Sequence, residues 1–255
     1  MTNIAVAFAE DFENNEKIVA LFSNPGKKIR KKGDSNMVYP LKDKEMLGRF
    51  LNIFEEEFQN ATTDRARRTA ACNRAYVFLS INSGLRNSDV ITRKWCDIYN
   101  PDWTFREGVR IREQKTSKYA SFRINNETRR VIEEYRAVLG EVDYKDYVFK
   151  TRQSKKINDD VPEEKKHICR ANCEAFLQKA AEQVGFDRNF GTHSLRKTFG
   201  YHFLQNHKND IYALATLQKL FRHSSPAITL AYVGIDEDTT AKLYDEMGSF
   251  FEEVM

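Results

Sequence analysis

The chain is 255 residues long and carries 41 Lys and Arg against 37 Asp and Glu, a formal charge of +4, which bounds it to one large domain or two small ones. Hydrophobic residues at 41% and aromatics at 12% can fill a packed core, so a wholly disordered chain is excluded. Apolar runs are only a few residues long, too short for a membrane-spanning helix, and the N-terminus lacks the basic start and cleavage region of a secretion signal; a cytoplasmic chain is expected.

In chain order, an amphipathic stretch about one helix long precedes residues 24–36, NPGKKIRKKGDSN. This second segment joins turn formers to Lys27, Lys28, Arg30, Lys31 and Lys32 and reads as a basic linker or arm able to contact DNA, or as a solvated loop. From Met46 to Phe58, Leu47, Phe50, Leu51, Phe54 and Phe58 recur at three- and four-residue steps, the stripe of an amphipathic helix. A second helix is expected over Asn73–Ser83, stopping at Gly84, with Arg86 just past the break and Asp89 three residues later.

Over 109–124 the period changes to two. Val109 and Ile111 alternate with arginines, and Ala120, Phe122 and Ile124 alternate with Ser121 and Arg123, so two strands joined by a Gln114–Lys118 turn form a hairpin. Lys115 and Lys118 lie in that turn. Helical spacing returns at Val131–Leu139, ending at Gly140, and at Cys173–Val184, ending at Gly185, each glycine a plausible C-terminal cap. The polar residues 150–166 between them read as a loop. The fold class is therefore α+β, mainly α-helical, with a small antiparallel β-sheet.

Cys72, Cys96, Cys169 and Cys173 are too few and too scattered for a disulfide framework. His167, Cys169 and Cys173 form an H-x-C-x3-C cluster without a fourth ligand, and Cys173 reads as a small buried residue on a helix.

The segment GTHSLRKTFGYHF places His193, Arg196 and Gly200 on one helical face, with Leu195, Phe199 and Phe203 on the adjacent one, which leaves His and Arg to face a cleft. Taken alone, H-x-x-R is more often a surface histidine and a structural arginine. Further on, Ser225 and Pro226 read as the N-cap and first position of a short helix; His223 precedes it and Tyr232 lies in its second turn.

The ordered set SGLR-x-x-D, QKT, H-x-x-R, H-S-S-P and a tyrosine nine residues after that second histidine resembles the catalytic domain of the tyrosine recombinases, the phage integrase family. The resemblance covers residues 41 to about 235. It implies that Arg86 and Arg196 are active-site arginines, Lys115 the hairpin lysine, His193 and His223 the two histidines and Tyr232 the nucleophile, with Asp89 supporting Arg86. It further implies double-stranded DNA as the partner, a homo-tetramer on paired sites, and no cofactor or metal.

Two departures from the family pattern stand out. Phe221 and Arg222 precede His223 where Leu and Gly are usual, so an extra cation sits beside the site. Residues 1–40 make a short N-terminal segment rather than a full core-binding domain, and 41–255 read as the catalytic domain with an acidic helical tail. In that tail Leu243, Met247, Phe250 and Phe251 form an apolar stripe, which either packs within the chain or passes to a neighbouring protomer.

Such chemistry needs these residue types. Guanidiniums stay charged and match phosphate oxygens with planar donor forks, whereas a phenol of ordinary pKa about 10 is ionised in roughly one molecule per thousand at neutral pH and must be activated. His193 is the expected base and Lys115 the expected acid for the leaving 5' oxygen. The expected function is site-specific DNA recombination through a 3'-phosphotyrosine link; the alternatives are DNA relaxation of the type IB topoisomerase kind, or a non-catalytic DNA-binding accessory protein with the same fold.

Overall fold

The computed structural model describes residues 37–115, 119–151, 162, 166–235, 240, 242 and 244–249. The chain divides into two compact units, Met1–Met37 and Val38–Met255; the basic segment at 27–32, Lys118, and Leu243, Phe250 and Phe251 of the tail lie outside the described residues. The second unit contains α1 (Lys44–Gln59), α2 (Asp64–Ser83), α3 (Asn87–Ile91), α4 (Trp95–Ile98), β1 (Val109–Arg112), β2 (Tyr119–Phe122), α5 (Asn126–Leu139), α6 (Arg170–Gln183), α7 (Thr192–Asn206), α8 (Ala213–Phe221) and α9 (Pro226–Val233).

Helix α1 starts where the Asp43 side chain accepts from the Met46 amide at 2.6 Å, and it buries Phe50, Phe54 and Phe58, the residues its spacing selects. The Phe50 ring meets Phe190 tilted and the Phe54 ring meets Phe176 edge-on, arrangements that aromatic quadrupoles favour. Helix α2 begins nine residues before its expected start. Its first turns, DRARR, carry no apolar stripe; the start is set by Thr63, whose hydroxyl accepts from the Ala66 amide at 3.2 Å.

Helix α2 is the central element. It buries Ala71, Ala75, Tyr76 and Leu79 among others and packs against α1, α5 and α7. Even Arg74 is 1% exposed, held by Glu55 at 2.8 Å and Glu134 at 2.6 Å, so the charge taken from water is matched by two carboxylates. The helix ends at Gly84 in the left-handed region (φ +61), and an added Cβ there would lie 2.3 Å from the Phe199 ring. Glycine meets both demands.

Among the described residues the sheet is one antiparallel pair, with Val109 opposite Phe122 and Arg112 opposite Tyr119. Along β1 burial alternates in, out, in, out, as the sequence period predicts. Helices α5 and α6 end beside Gly140 and Gly185, both at positive φ, and Cys173 is fully buried on α6. The fold class read from the sequence thus holds: mostly helix, with a two-stranded sheet.

Two apolar clusters result among the described residues. The larger gathers α1, α2, α5, α6 and the strands, and reaches Leu195 on α7; the smaller consists of Leu204, Ala213, Leu217, Phe221 and Val233 from α7, α8 and α9. Helix α7 belongs to both, and Gly200 lets the smaller one close on α7: a Cβ there would lie 2.7 Å from both the Phe221 ring and Val233.

Candidate active site

Arg196 lies on α7 where the two clusters meet. It is only 3% exposed. Its Nη1 donates to the Gly84 carbonyl at 2.6 Å and its Nη2 to the Phe221 carbonyl at 3.1 Å, and the guanidinium stacks over the Phe221 ring at 4.1 Å. The sequence leaves this arginine free to face a cleft; instead the end of α2 and the end of α8 grip it. Burial is the main reason its pKa is pushed down to about 10, and it stays cationic at neutral pH.

Arg86 caps α3, directly after the Gly84 break. Its Nη1 stands 3.1 Å from Glu113 Oε2. Asp89, fully buried, accepts the Gln114 amide at 2.7 Å, so the residue expected to support Arg86 also holds the first residue of the hairpin turn. Burial raises the Asp89 carboxyl above its ordinary range, with Glu113 pushing the same way, while the Gln114 amide, Arg93 and Arg86 oppose the shift. Tyr76 fastens α3 to α2 by donating to Asn87 Oδ1 at 2.7 Å.

Helix α9 is capped by Ser225, with Pro226 in its first turn. That cap presents Tyr232 to α7. The Tyr232 hydroxyl lies 3.4 Å from His193 Nδ1, and Arg196 is near enough to pull its pKa downward against the effect of burial. His223 packs against the Tyr232 ring with 5.0 Å between centroids, and its Nδ1 is 3.1 Å from the Thr229 hydroxyl. Lys197 sits over the other part of the tyrosine, its Nζ 5.2 Å from the ring centre.

The electrostatics of this group run in two directions. Burial lowers the His193 pKa, and Arg170, Arg196, Arg86 and Lys197 add to the effect; burial followed by Arg196 and Arg86 lowers that of His223. Both imidazoles are therefore held neutral near pH 7, and a neutral imidazole can accept a proton. For Tyr232 burial raises the pKa and outweighs the opposing pull of Arg196 and Arg86. The cationic surroundings act with the expected sign, but they do not by themselves yield a phenolate.

Five of the six residues singled out in the sequence thus meet in one place: Arg86, His193, Arg196, His223 and Tyr232. Lys115 lies exposed on the hairpin turn and joins them through its chain neighbours Gln114 and Glu113. Glu113 escapes the sequence reading. Its signal is parity: it follows Val109 and Ile111 on the inward row of β1 and is 1% exposed, a carboxylate where the alternation calls for an apolar residue. Arg222 also contacts it, with Nε 3.1 Å from Glu113 Oε2.

The phage integrase family pattern matches residues 50–238. The probable integrase/recombinase YoeC of Bacillus subtilis (strain 168) is 37% identical over 168 residues, which is 66% of this chain and 80% of that protein. Among solved structures, the XerH site-specific recombinase bound to palindromic difH substrate in a post-cleavage complex aligns with a TM-score of 0.60 at 17% identity, over 87% of this chain and 56% of that one. XerA recombinase aligns at 0.51 and 16%, over 83% of this chain and 65% of that one. The chain thus spans just over half of the XerH polypeptide, and at these identities the likeness speaks for the fold. With the sequence pattern running through α1 to α9 and a relative of this identity, the chain belongs to the phage integrase family.

Proposed function

We propose that the protein is a site-specific DNA recombinase that cuts and rejoins double-stranded DNA through a 3'-phosphotyrosine link on Tyr232. The observation that carries this reading is the position of the Tyr232 hydroxyl, 3.4 Å from His193 Nδ1 and under the electrostatic pull of Arg196 and Arg86, within one chain. Attack on a phosphodiester spreads negative charge over the nonbridging oxygens; Arg86 and Arg196 supply preorganised positive charge there, and His223 adds a hydrogen bond. His193 takes the phenolic proton, and Lys115 protonates the departing 5' oxygen.

The phosphotyrosine bond conserves the energy of the broken strand, so a second 5' hydroxyl can reseal the DNA without a nucleotide cofactor. Two guanidiniums already provide the charge that a metal would supply. The neighbours bound to recombination sites and the relative named as an integrase support recombination over relaxation, and pairing of sites calls for a homo-tetramer. The tail fits that assembly: among its described residues, Tyr244 is 76% and Met247 51% exposed. The basic residues 27–32 and Lys118 are assigned to the DNA backbone.

A nicked suicide substrate tests the central step. Wild-type protein should trap a covalent DNA adduct and Tyr232→Phe should trap none; an adduct on Tyr232→Phe would place the nucleophile elsewhere. Deleting residues 240–255 should weaken DNA-dependent assembly.

A further inference from the structure

Arg222 caps α8 in the left-handed region, at φ +56, a conformation that disfavours any residue with a Cβ and suits glycine. An arginine in such a backbone persists where its side chain is held by its surroundings. Here the side chain turns toward the hairpin. Its Nη2 donates to the Tyr119 carbonyl at the start of β2, and its Nε lies 3.1 Å from Glu113 Oε2, the same oxygen that Arg86 Nη1 approaches at 3.1 Å.

The described backbone on both sides of Lys115, at Gln114 and at Tyr119, is therefore pinned. Before the lysine, the Gln114 amide is held by Asp89 Oδ1 at 2.7 Å; after it, the Tyr119 carbonyl is held by Arg222. Glu113, 1% exposed, supplies the buried negative charge that draws both arginines, since a carboxylate at that depth needs cationic partners. A guanidinium can reach a carboxylate and a carbonyl with different edges of one plane, which an ammonium cannot. Each pin is adjacent in sequence to the proposed machinery: Asp89 follows Arg86 by three residues, and Arg222 precedes His223.

We propose that Arg222 is a positioning residue: with Glu113 it fixes the facing ends of β1 and β2 so that Lys115 is delivered to the leaving 5' oxygen. This rests on the recombinase reading above. In the cleavage step the Tyr232 oxygen bonds to phosphorus, the bond from phosphorus to the 5' oxygen breaks, the phenolic proton passes to His193 and the 5' oxygen takes a proton from the Lys115 ammonium. When sulfur replaces that bridging oxygen, it departs as a thiolate and needs no proton. A defect that acts through Lys115 should then vanish, whereas a defect in the charge presented to the phosphate should remain.

Single-turnover adduct formation is measured on suicide substrates with a 5'-bridging oxygen or a 5'-bridging sulfur, for wild type, Arg222→Gly, Arg222→Lys, Lys115→Ala and the Arg222→Gly/Lys115→Ala double variant. Glycine fits the φ of this position, so Arg222→Gly keeps the fold, which circular dichroism verifies; Arg222→Lys keeps the charge but loses the two-edged contact. Both should lose roughly tenfold to a hundredfold on the oxygen substrate, the scale of a displaced catalytic group, and return to near wild-type rate on sulfur. Lys115→Ala should lose more, also recover on sulfur, and be made no slower by adding Arg222→Gly. An undiminished rate for Arg222→Gly on oxygen, a loss that persists on sulfur, or multiplying defects in the double variant would each overturn the proposal while leaving the recombinase reading intact. Absence of any Tyr232 adduct from wild type on both substrates would instead remove the recombinase reading, and this proposal with it.

Discussion

The two apolar clusters differ in what they hold. The larger one fixes Gly84, Arg86 and the hairpin to α2, whose surroundings are packed on several sides. The smaller, with five buried residues among those described, carries His223 at the end of α8 and Tyr232 on α9. Under the proposed function, charge stabilisation for the phosphate would thus be anchored mainly in the extensive core, and the nucleophile in the slight one. Burial scales with contact, so the second cluster should yield first to perturbation. The proposed nucleophile, which would approach, bond and later release a phosphate, sits on the part of the fold that is easiest to move.

Arg196 joins the two clusters, so its loss should have the largest effect. Arg196→Ala removes the proposed transition-state cation and leaves the Gly84 and Phe221 carbonyls without their donor. Adduct formation should fall by about 10²–10³ or more, and stability by about 1–3 kcal/mol for each unsatisfied carbonyl, read from suicide-substrate rates and urea unfolding. A stable, fully active Arg196→Ala would show that the clusters are not joined there.

Next come paired perturbations of the two clusters. Phe54→Ala empties a site 1% exposed in the larger core and should cost about 3–5 kcal/mol while the folded fraction keeps its rate. Gly200→Ala drives a Cβ to 2.7 Å from Phe221 and Val233; it should cost less, about 1–3 kcal/mol, yet slow the folded protein because Phe221 adjoins Arg222 and packs on Tyr232. Equal effects on rate from both variants would erase the distinction between a scaffold and a movable part.

The smallest effect is that of pH. His193, His202 and His223 all have pKa values lowered first by burial, so the unfolded chain binds these protons more readily than the folded one. Their contribution to stability is complete above the unfolded histidine value of about 6.5 and is lost as pH falls below it toward the depressed native values. Melting temperature should decline from about pH 7 to about pH 5. Because His193 stays neutral to lower pH than an exposed histidine, the adduct-forming rate should hold flat through about pH 6.5; a fall beginning well above that would contradict its buried state.

Much of the architecture was legible because period and caps are local. The stripe Phe50, Phe54 and Phe58, the Gly84 stop and the Ser225–Pro226 start each depend on a few neighbouring residues, and each appears where the spacing puts it. The start of α2 was not legible, since RARR carries no apolar stripe and the Thr63 cap precedes it without one. Helix α8 was missed for a different reason: the run ALATLQKLF is short, and its burial depends on how the helices on either side of it in the chain, α7 and α9, fold back onto it.

The linear order of arginine, lysine, histidine and tyrosine determined the family and the residue types of the candidate site, because side-chain chemistry is written one position at a time. Only the tertiary structure decided that Arg196 is gripped by two carbonyls, that burial outweighs the cations around Tyr232, and that Glu113 joins Arg86 to Arg222. Those outcomes depend on depth and on contacts across more than a hundred residues of chain in the case of Arg196 and Gly84. Desolvation and charge pairing act through space, and no local pattern encodes them.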